Sequence, residues 1–171
     1  WLAEAGERIG SCVFPVLEGS RALLVEIQAL VGHTEVVPPR RVAVGVDRTR
    51  LAQVIAILSR HAGLRLGDQD VFVSVAGGAR ALEPAADLAI ALAVVSAHRG
   101  RPLGAGTVAF GELGLTGGLR PVAGDERRLA AASARGLKCG IIPASACVTP
   151  DSGVGRIVGV DAITAAIEAA F

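Results

Sequence analysis

Apolar and polar positions follow strand-like patterns early in the chain and helical spacing after residue 47. Cys12 to Leu17 and Arg21 to Val31 read as two strands around a Glu18-Gly19-Ser20 turn. In the second, Leu24, Glu26 and Gln28 face away from Leu23, Val25 and Ile27, a partial alternation. Pro38-Pro39 interrupts the chain, and Val42 to Val46 is a short apolar strand. Asp47 then sits at a helix N-cap, with Leu51, Val54, Ile55 and Leu58 at helical spacing and Gly63 beyond the end.

Asp70 to Ala76 predicts another strand, followed by Gly77-Gly78. A helix opens near Pro84, a residue suited to a first turn. From Leu88 through Val95 this helix is apolar on nearly every side, which predicts a central buried helix. Thr107 to Phe110 and Leu119 to Val122 read as strands, and Asp125-Glu126 open a helix over residues 125–135 that Gly136 closes. Gly140 to Ile142 is a strand ended by Pro143, and Asp161 is placed as the cap of a last helix carrying Ile163 and Ile167. Strand runs mixed with single helices give an α+β class with about four helices. Residues 1–10 read as an arm and residues 11–171 as one domain.

Composition sharpens this picture. Hydrophobic residues make up 51% of the 171 positions but aromatics only 3%, so Ala, Val, Leu and Ile must build the core. No apolar run reaches the roughly 18 to 20 residues of a membrane span, and the start carries no secretory signal pattern. Cys12, Cys139 and Cys147 are odd in number and lack metal-ligand spacing, as expected of reduced thiols in a cytoplasmic protein.

The net charge is +1, and all but one of the 17 basic residues are arginine. Arginine suits bidentate phosphate contact, and a GC-rich genome would supply the same excess. With one Trp, four Phe and no Tyr, a platform for stacking single-stranded bases is not expected. The glycine-rich stretches at Gly77-Gly78 and Gly111 to Gly118 lack the Gly-Lys-Ser/Thr of a phosphate loop. His33, His61 and His98 are scattered and form no zinc-like cluster. Basic pairs occur at Arg40-Arg41, Arg48 with Arg50, Arg99 with Arg101, and Arg127-Arg128. Arg40, Arg41, Arg48, Arg50, Arg99 and Arg101 are the phosphate-contact candidates by local density, although a pair on a helix face is commonly just solvated.

The stretch from Val71 to Pro143 resembles the proteolytic domain of the Lon family. In that family a Gly-Pro-Ser-Ala-Gly turn carries the nucleophile. Here the matching turn is Glu83-Pro84-Ala85-Ala86-Asp87, with Ala85 at the serine position. The family's catalytic lysine lies five residues after a proline; counting from Pro121 reaches Glu126. Lys138, the only lysine, matches a non-catalytic position. The resemblance therefore implies a protease frame with an empty Ser-Lys dyad, since a methyl group cannot attack a carbonyl. Glu112 and Gly111 fall on that family's Thr-Gly-Glu hairpin. Glu83 and Asp87 flank a helix N-terminus, so a capping or arginine-contact role is expected, with Glu83→Gln costing on the order of 1 kcal/mol.

Over nearly the whole chain, Leu17-Glu18-Gly19-Ser20-Arg21, Leu24 to Val31, Glu83 to Ala89 and Phe110 to Gly117 are similar to the bacterial RadA (Sms) family of recombinational DNA repair. That resemblance implies a C-terminal Lon-like domain of a hexameric, DNA-dependent ATPase. It implies ATP with Mg and a zinc finger in other domains, with no cofactor in this one. DNA, sister subunits and a recombinase are the implied partners. Three readings follow: a proteolytically silent ring scaffold with a DNA surface, a non-cleaving peptide-docking module, or a hydrolase with an unrelated nucleophile.

Overall fold

The first two strands, β1 (Ser11–Glu18) and β2 (Arg21–His33), form a long antiparallel hairpin closed by Gly19 at positive φ. The computed structural model describes residues 8–149 and 153–171. Of the expected arm, residues 1–7 lie outside the described residues, while Gly10 belongs to the domain: its N–H donates to Ser96 Oγ (2.8 Å) and its carbonyl accepts from Ala29 N (2.7 Å). Gly10 has φ 76°, and a Cβ there would stand 2.2 Å from the Ala29 oxygen.

The remaining elements are β3 (Arg41–Val44), α1 (Arg48–His61), β4 (Gln69–Val75), α2 (Asp87–Arg99), β5 (Thr107–Ala109), β6 (Glu112–Leu113), β7 (Leu119–Arg120), α3 (Asp125–Ala134), β8 (Cys139–Pro143), β9 (Arg156–Val160) and α4 (Ile163–Ala170). Seven strands form one mixed sheet in the order β3-β4-β2-β1-β5-β8-β9, and β6 and β7 form a small separate ribbon. This is a mixed α/β fold, consistent with the α+β class. Among the described residues, no helix is long and apolar enough to cross a membrane.

The helices are divided unequally between the two sheet faces. α1, α2 and α4 pack against one another, and α2 lies on β1 and β2. Asp87 through Ser96 of α2 are all buried, as the unbroken apolar run predicted. α3 covers the opposite face. Val13, Glu26, Val108 and Gly140 are cross-strand neighbours in one row, and a Cβ on Gly140 would meet Leu129 of α3 at 3.2 Å. Among the described residues, α3 reaches β1 and β2 but does not pack on β3 or β4 of that face, and Leu30, Val42 and Val44 are exposed.

Three local readings are revised. Asp161 does not cap α4: Ala162 is the N-cap and bears no capping side chain, while the Asp161 carbonyl accepts from Leu119 N (2.8 Å). β9 is a strand that the sequence pattern did not mark. β6 lies where only turn chemistry was read, because a two-residue ribbon carries no periodic signal. Cys12, Cys139 and Cys147 are free, and burial pushes the Cys12 thiol up to about 12.

Asp47 does cap α1, its Oδ1 accepting from Arg50 N at 2.8 Å. Asp47→Ala should lower the unfolding free energy by about 1 kcal/mol. Leu92→Ala, in the fully buried centre of α2, should cost about 3 kcal/mol. Urea titration of the two variants checks both the size and the order.

Candidate functional site

The turn before α2 is a single 3-10 turn, Pro84–Ala86, with Glu83 extended ahead of it. Pro84 occupies a first-turn position, where its missing N–H costs nothing. Ala85 is buried, and its carbonyl accepts from Gly111 N (2.9 Å), while the Gly111 carbonyl accepts from Leu88 N (3.2 Å). The methyl at Ala85 therefore sits at the wall of a groove of about 340 Å³. Leu17, Pro84, Pro121, Val122 and Ala123 supply the apolar walls, and Glu83, Glu112 and Arg128 the charged ones. No lining side chain carries a hydroxyl, thiol or amine.

Two ion pairs bracket Ala85. On one side Arg128, only 1% exposed, donates to Glu83 from Nη1 (3.0 Å) and Nη2 (2.6 Å). It also donates to the carbonyls of Pro15 (2.5 Å) and Ala123 (3.0 Å), and lies 5.7 Å from the ring centroids of both Phe14 and Phe110. Glu83 Oε1 accepts in addition from Leu17 N at 3.0 Å. On the other side Asp87 accepts from Arg50 Nε (2.7 Å), from Arg50 Nη2, and from Leu113 N (3.0 Å). Burial pushes the Asp87 carboxyl up, and the Arg50 hydrogen bonds oppose that shift.

Both brackets use an arginine contact, the role expected of Glu83 and Asp87. Glu126 is placed differently. It is exposed in the first turn of α3 and lines a neighbouring depression with Pro121, Val122, Ser145 and Cys147. The α3 side chain that reaches the Ala85 groove is Arg128. The sequence held a signal for it, because Arg128 is four residues from Ala132 and adjacent to Leu129, both buried on the packed stripe of α3. Next to Glu126, burial pushes the Asp125 carboxyl up; its Oδ2 accepts from Cys147 N (3.2 Å), and its buried Oδ1 has no hydrogen-bond partner.

The six arginine candidates fall into two groups. Arg40 and Arg41 lie where β4 begins; Arg99 and Arg101 lie where α2 ends, and His98 Nδ1 with Gln69 Oε1 (2.9 Å) joins these two places. Arg40 pairs with Asp70 (2.6 Å), and Arg41 donates to the carbonyls of Gln69 and Leu66. Arg99 and Arg101 lie over the Phe171 ring, and Arg101 donates to the Phe171 carbonyl. Exposed Arg65, which density along the sequence missed, is adjacent to Leu66 at the same end. Arg48 and Arg50 are at the other end of α2, roughly 20 Å away by helix rise. Arg48 is exposed, whereas Arg50 is engaged by Asp87.

Together these features define a mixed α/β domain with a groove at one end of its central helix and an arginine cluster at the other. A family model described as subunit ChlI of Mg-chelatase matches residues 25–146, and the chain belongs to that family. It is also similar to proteins named DNA repair protein RadA. The Salmonella typhimurium relative is 52% identical over 136 residues, covering 80% of this chain and 30% of that protein. The Pseudomonas aeruginosa relative is 42% identical over 172 residues, covering 100% of this chain and 38% of that protein. The Aquifex aeolicus relative is 42% identical over 171 residues, again with 100% and 38% covered. The chain thus spans about a third of the length of these curated relatives.

Removing the Glu83 carboxylate strands a buried guanidinium, so Glu83→Ala should cost about 3 kcal/mol, more than the cost expected from capping alone. Arg128→Met should cost less, because Glu83 is 27% exposed and can turn to water. Chemical denaturation of the two variants tests this asymmetry. A separate test uses acid. The Arg40 hydrogen bonds hold the Asp70 carboxyl down to about 2, from an ordinary 3.8. A lowered carboxyl pKa favours the folded state at higher pH, and that contribution is lost as pH falls from about 4 to about 2. Asp70→Asn should therefore flatten the melting temperature across this window, as read by thermal melts between pH 2 and pH 5.

Proposed function

We propose that this chain is the proteolytically silent, Lon-like domain of a RadA-type DNA-repair ATPase. In this reading it is a ring scaffold that presents an arginine surface to DNA. The observation that carries the reading is the bracketing of Ala85 by two arginine–carboxylate pairs. Where the Lon resemblance calls for a serine and a free lysine amine, this groove has a methyl group and a guanidinium. Arginine stays protonated in proteins and cannot act as a general base. The frame is maintained while the chemistry of a Ser-Lys dyad has no atoms to run on. Identity to proteins named for DNA repair supports the assignment to that process.

The motor would lie in other domains of the full-length protein, which would bind ATP with Mg and carry the zinc finger. The hexamer, a recombinase partner and a cytoplasmic location belong to the same proposal. The DNA surface is assigned to the end bearing Arg40, Arg41, Arg99 and Arg101, with Arg65 beside them. Arg50 is left out because its side chain, held by Asp87, is only 24% exposed, whereas Arg40 stays 58% exposed in its pair with Asp70. A single domain with net charge +1 neutralises few phosphates. Repetition around a ring multiplies those contacts, and affinity then falls steeply with salt. Phosphate contacts carry no base information, so no sequence preference is expected.

A second reading, a peptide-docking module, draws on the open groove of about 340 Å³ beside Ala85. The experiment that separates the two is salt-dependent DNA binding by the full-length protein. Joint replacement of Arg99 and Arg101 by Ala should weaken binding and make the salt slope shallower, whereas Arg48→Ala should change neither. An unchanged slope in the double variant would remove DNA from this surface.

A further inference from the structure

The loop over residues 34–40 joins β2 to β3 and crosses the start of β4, which lies between them in the sheet. Its tip is apolar. Val36, Val37, Pro38 and Pro39 follow one another with no polar side chain among them. Val37 is 98% exposed, more than any other large apolar side chain among the described residues, and Val36 and Pro38 are exposed on either side of it. Single apolar residues on a surface are ordinary. An apolar run at a loop tip, where polar residues are the rule, calls for a partner.

Both feet of this loop are fastened. Thr34 N donates to the Asp68 carbonyl (3.2 Å), and Thr34 Oγ1 accepts from Val36 N (3.2 Å) while donating to the Val36 carbonyl (3.0 Å). At the other foot Arg40 N donates to Asp70 Oδ1 (2.7 Å), and the Arg40 guanidinium donates to Oδ2 from Nε (2.8 Å) and Nη2 (2.6 Å). The same guanidinium lies 5.6 Å from the Phe72 ring centroid. The tip is therefore presented from a fixed base.

Cations gather at that base. Arg40 forms one foot, Arg41 reaches the Leu66 carbonyl (2.6 Å), and exposed Arg65 is next to Leu66. The His98–Gln69 contact brings the end of α2, with Arg99 and Arg101, to the same end of the sheet. Glu35 and Asp68 are the exposed carboxylates beside the loop, and Asp70 is taken by Arg40. An apolar tip set among arginines fits a ligand with anionic flanks and an apolar interior. Opened DNA has that layout, with phosphates outside and base faces within. In an intact duplex those faces are stacked on one another, and apolar side chains reach them only where a step is parted.

We infer that the tip at residues 36–39 is a wedge that packs on base faces where duplex DNA is opened, while the flanking arginines hold the phosphates. The inference rests on the DNA reading above and deepens it: the arginines hold any DNA, and the tip selects DNA whose strands are parted. Valine and proline side chains carry no hydrogen-bonding group, so the tip adds a preference for open structure and none for sequence.

The test compares a forked DNA with a fully paired DNA of the same number of phosphates, both binding to the full-length protein. The unaltered protein should bind the fork about tenfold more tightly, the scale of burying one valine side chain. Val37→Ser, at a position whose exposure leaves folding untouched, should remove that preference and leave duplex affinity and its salt slope unchanged. Joint replacement of Arg99 and Arg101 by Ala should do the reverse, weakening both DNAs while keeping their ratio. The wedge is overturned by a fork preference that survives joint replacement of Val36 and Val37 by Ser, or by equal binding of the two DNAs to the unaltered protein; in either case the arginine variant still reports on the DNA surface. A salt slope that the arginine variant leaves unmoved would remove the DNA reading, and the wedge with it. Two other outcomes also overturn the inference. One is binding to vesicles of anionic lipid that Val37→Ser abolishes, which would make the tip a membrane contact. The other is self-association lost in Val37→Ser with the fork preference intact, which would make it a subunit contact.

Discussion

The guanidinium of Arg128 is the tie on which the site end of the molecule depends. It is buried, yet it joins four parts of the chain: Pro15 in β1, Glu83 ahead of α2, Ala123 ahead of α3, and the Phe14–Phe110 aromatic pair. A charge in such a place is tolerable only when nearly every donor is satisfied, and here the donors reach two carbonyls and both oxygens of one carboxylate. The consequence is geometric. Glu83 cannot move without breaking the pair and the bond to Leu17 N, so the turn that carries Ala85 is fixed from its first residue. Asp87 fixes the other end of the same turn through Arg50 and Leu113. Between them, the pairs hold in place a groove that the packing of alanines alone would leave loose.

The unequal covering of the sheet sets where the other surfaces can be. Three helices, α1, α2 and α4, pack together on one face. α3, only Asp125–Ala134, is too short to cover the opposite face from β8 to β3. At 1.5 Å per residue it spans about 15 Å, whereas seven strands at about 4.8 Å spacing extend about twice as far. Leu30, Val42 and Val44 are left exposed there.

Much of this was legible in the sequence. The β1–β2 hairpin, the Asp47 cap and the all-apolar α2 follow from period, turn chemistry and composition over stretches long enough to carry a signal. β6 is two residues long, and α4 begins without a side-chain cap, so local rules pointed to Asp161 instead. The site was half legible. The turn around Ala85 announced itself by Pro84 and by its flanking carboxylates. The partner of Glu83 lies 45 residues further on, inside what reads as an ordinary Arg127-Arg128 pair. Only the stripe formed with Leu129 and Ala132 distinguishes the buried arginine from the exposed one. Likewise, Arg50 and Arg99 look equivalent as basic residues near helix ends. Their difference is a carboxylate 37 residues away from Arg50, which no local pattern reveals.

These charge placements bear on what chemistry the groove beside Ala85 can support. An active dyad needs a base that is neutral at working pH, and an uncompensated carboxylate or amine in a groove is the usual means of obtaining one. In this groove Glu83 is neutralised by Arg128, and Glu112 stands 4.0 Å from Arg50. The same bonds that make the turn rigid also quench the groups that would otherwise supply proton transfer. A serine placed at Ala85 would add a hydroxyl beside a guanidinium that cannot accept its proton and a Glu83 carboxylate already paired with Arg128. Rigidity at this end and catalysis at this end are therefore competing uses of one set of side chains. The ion pairs engage these side chains in holding the turn, which leaves them unavailable for proton transfer.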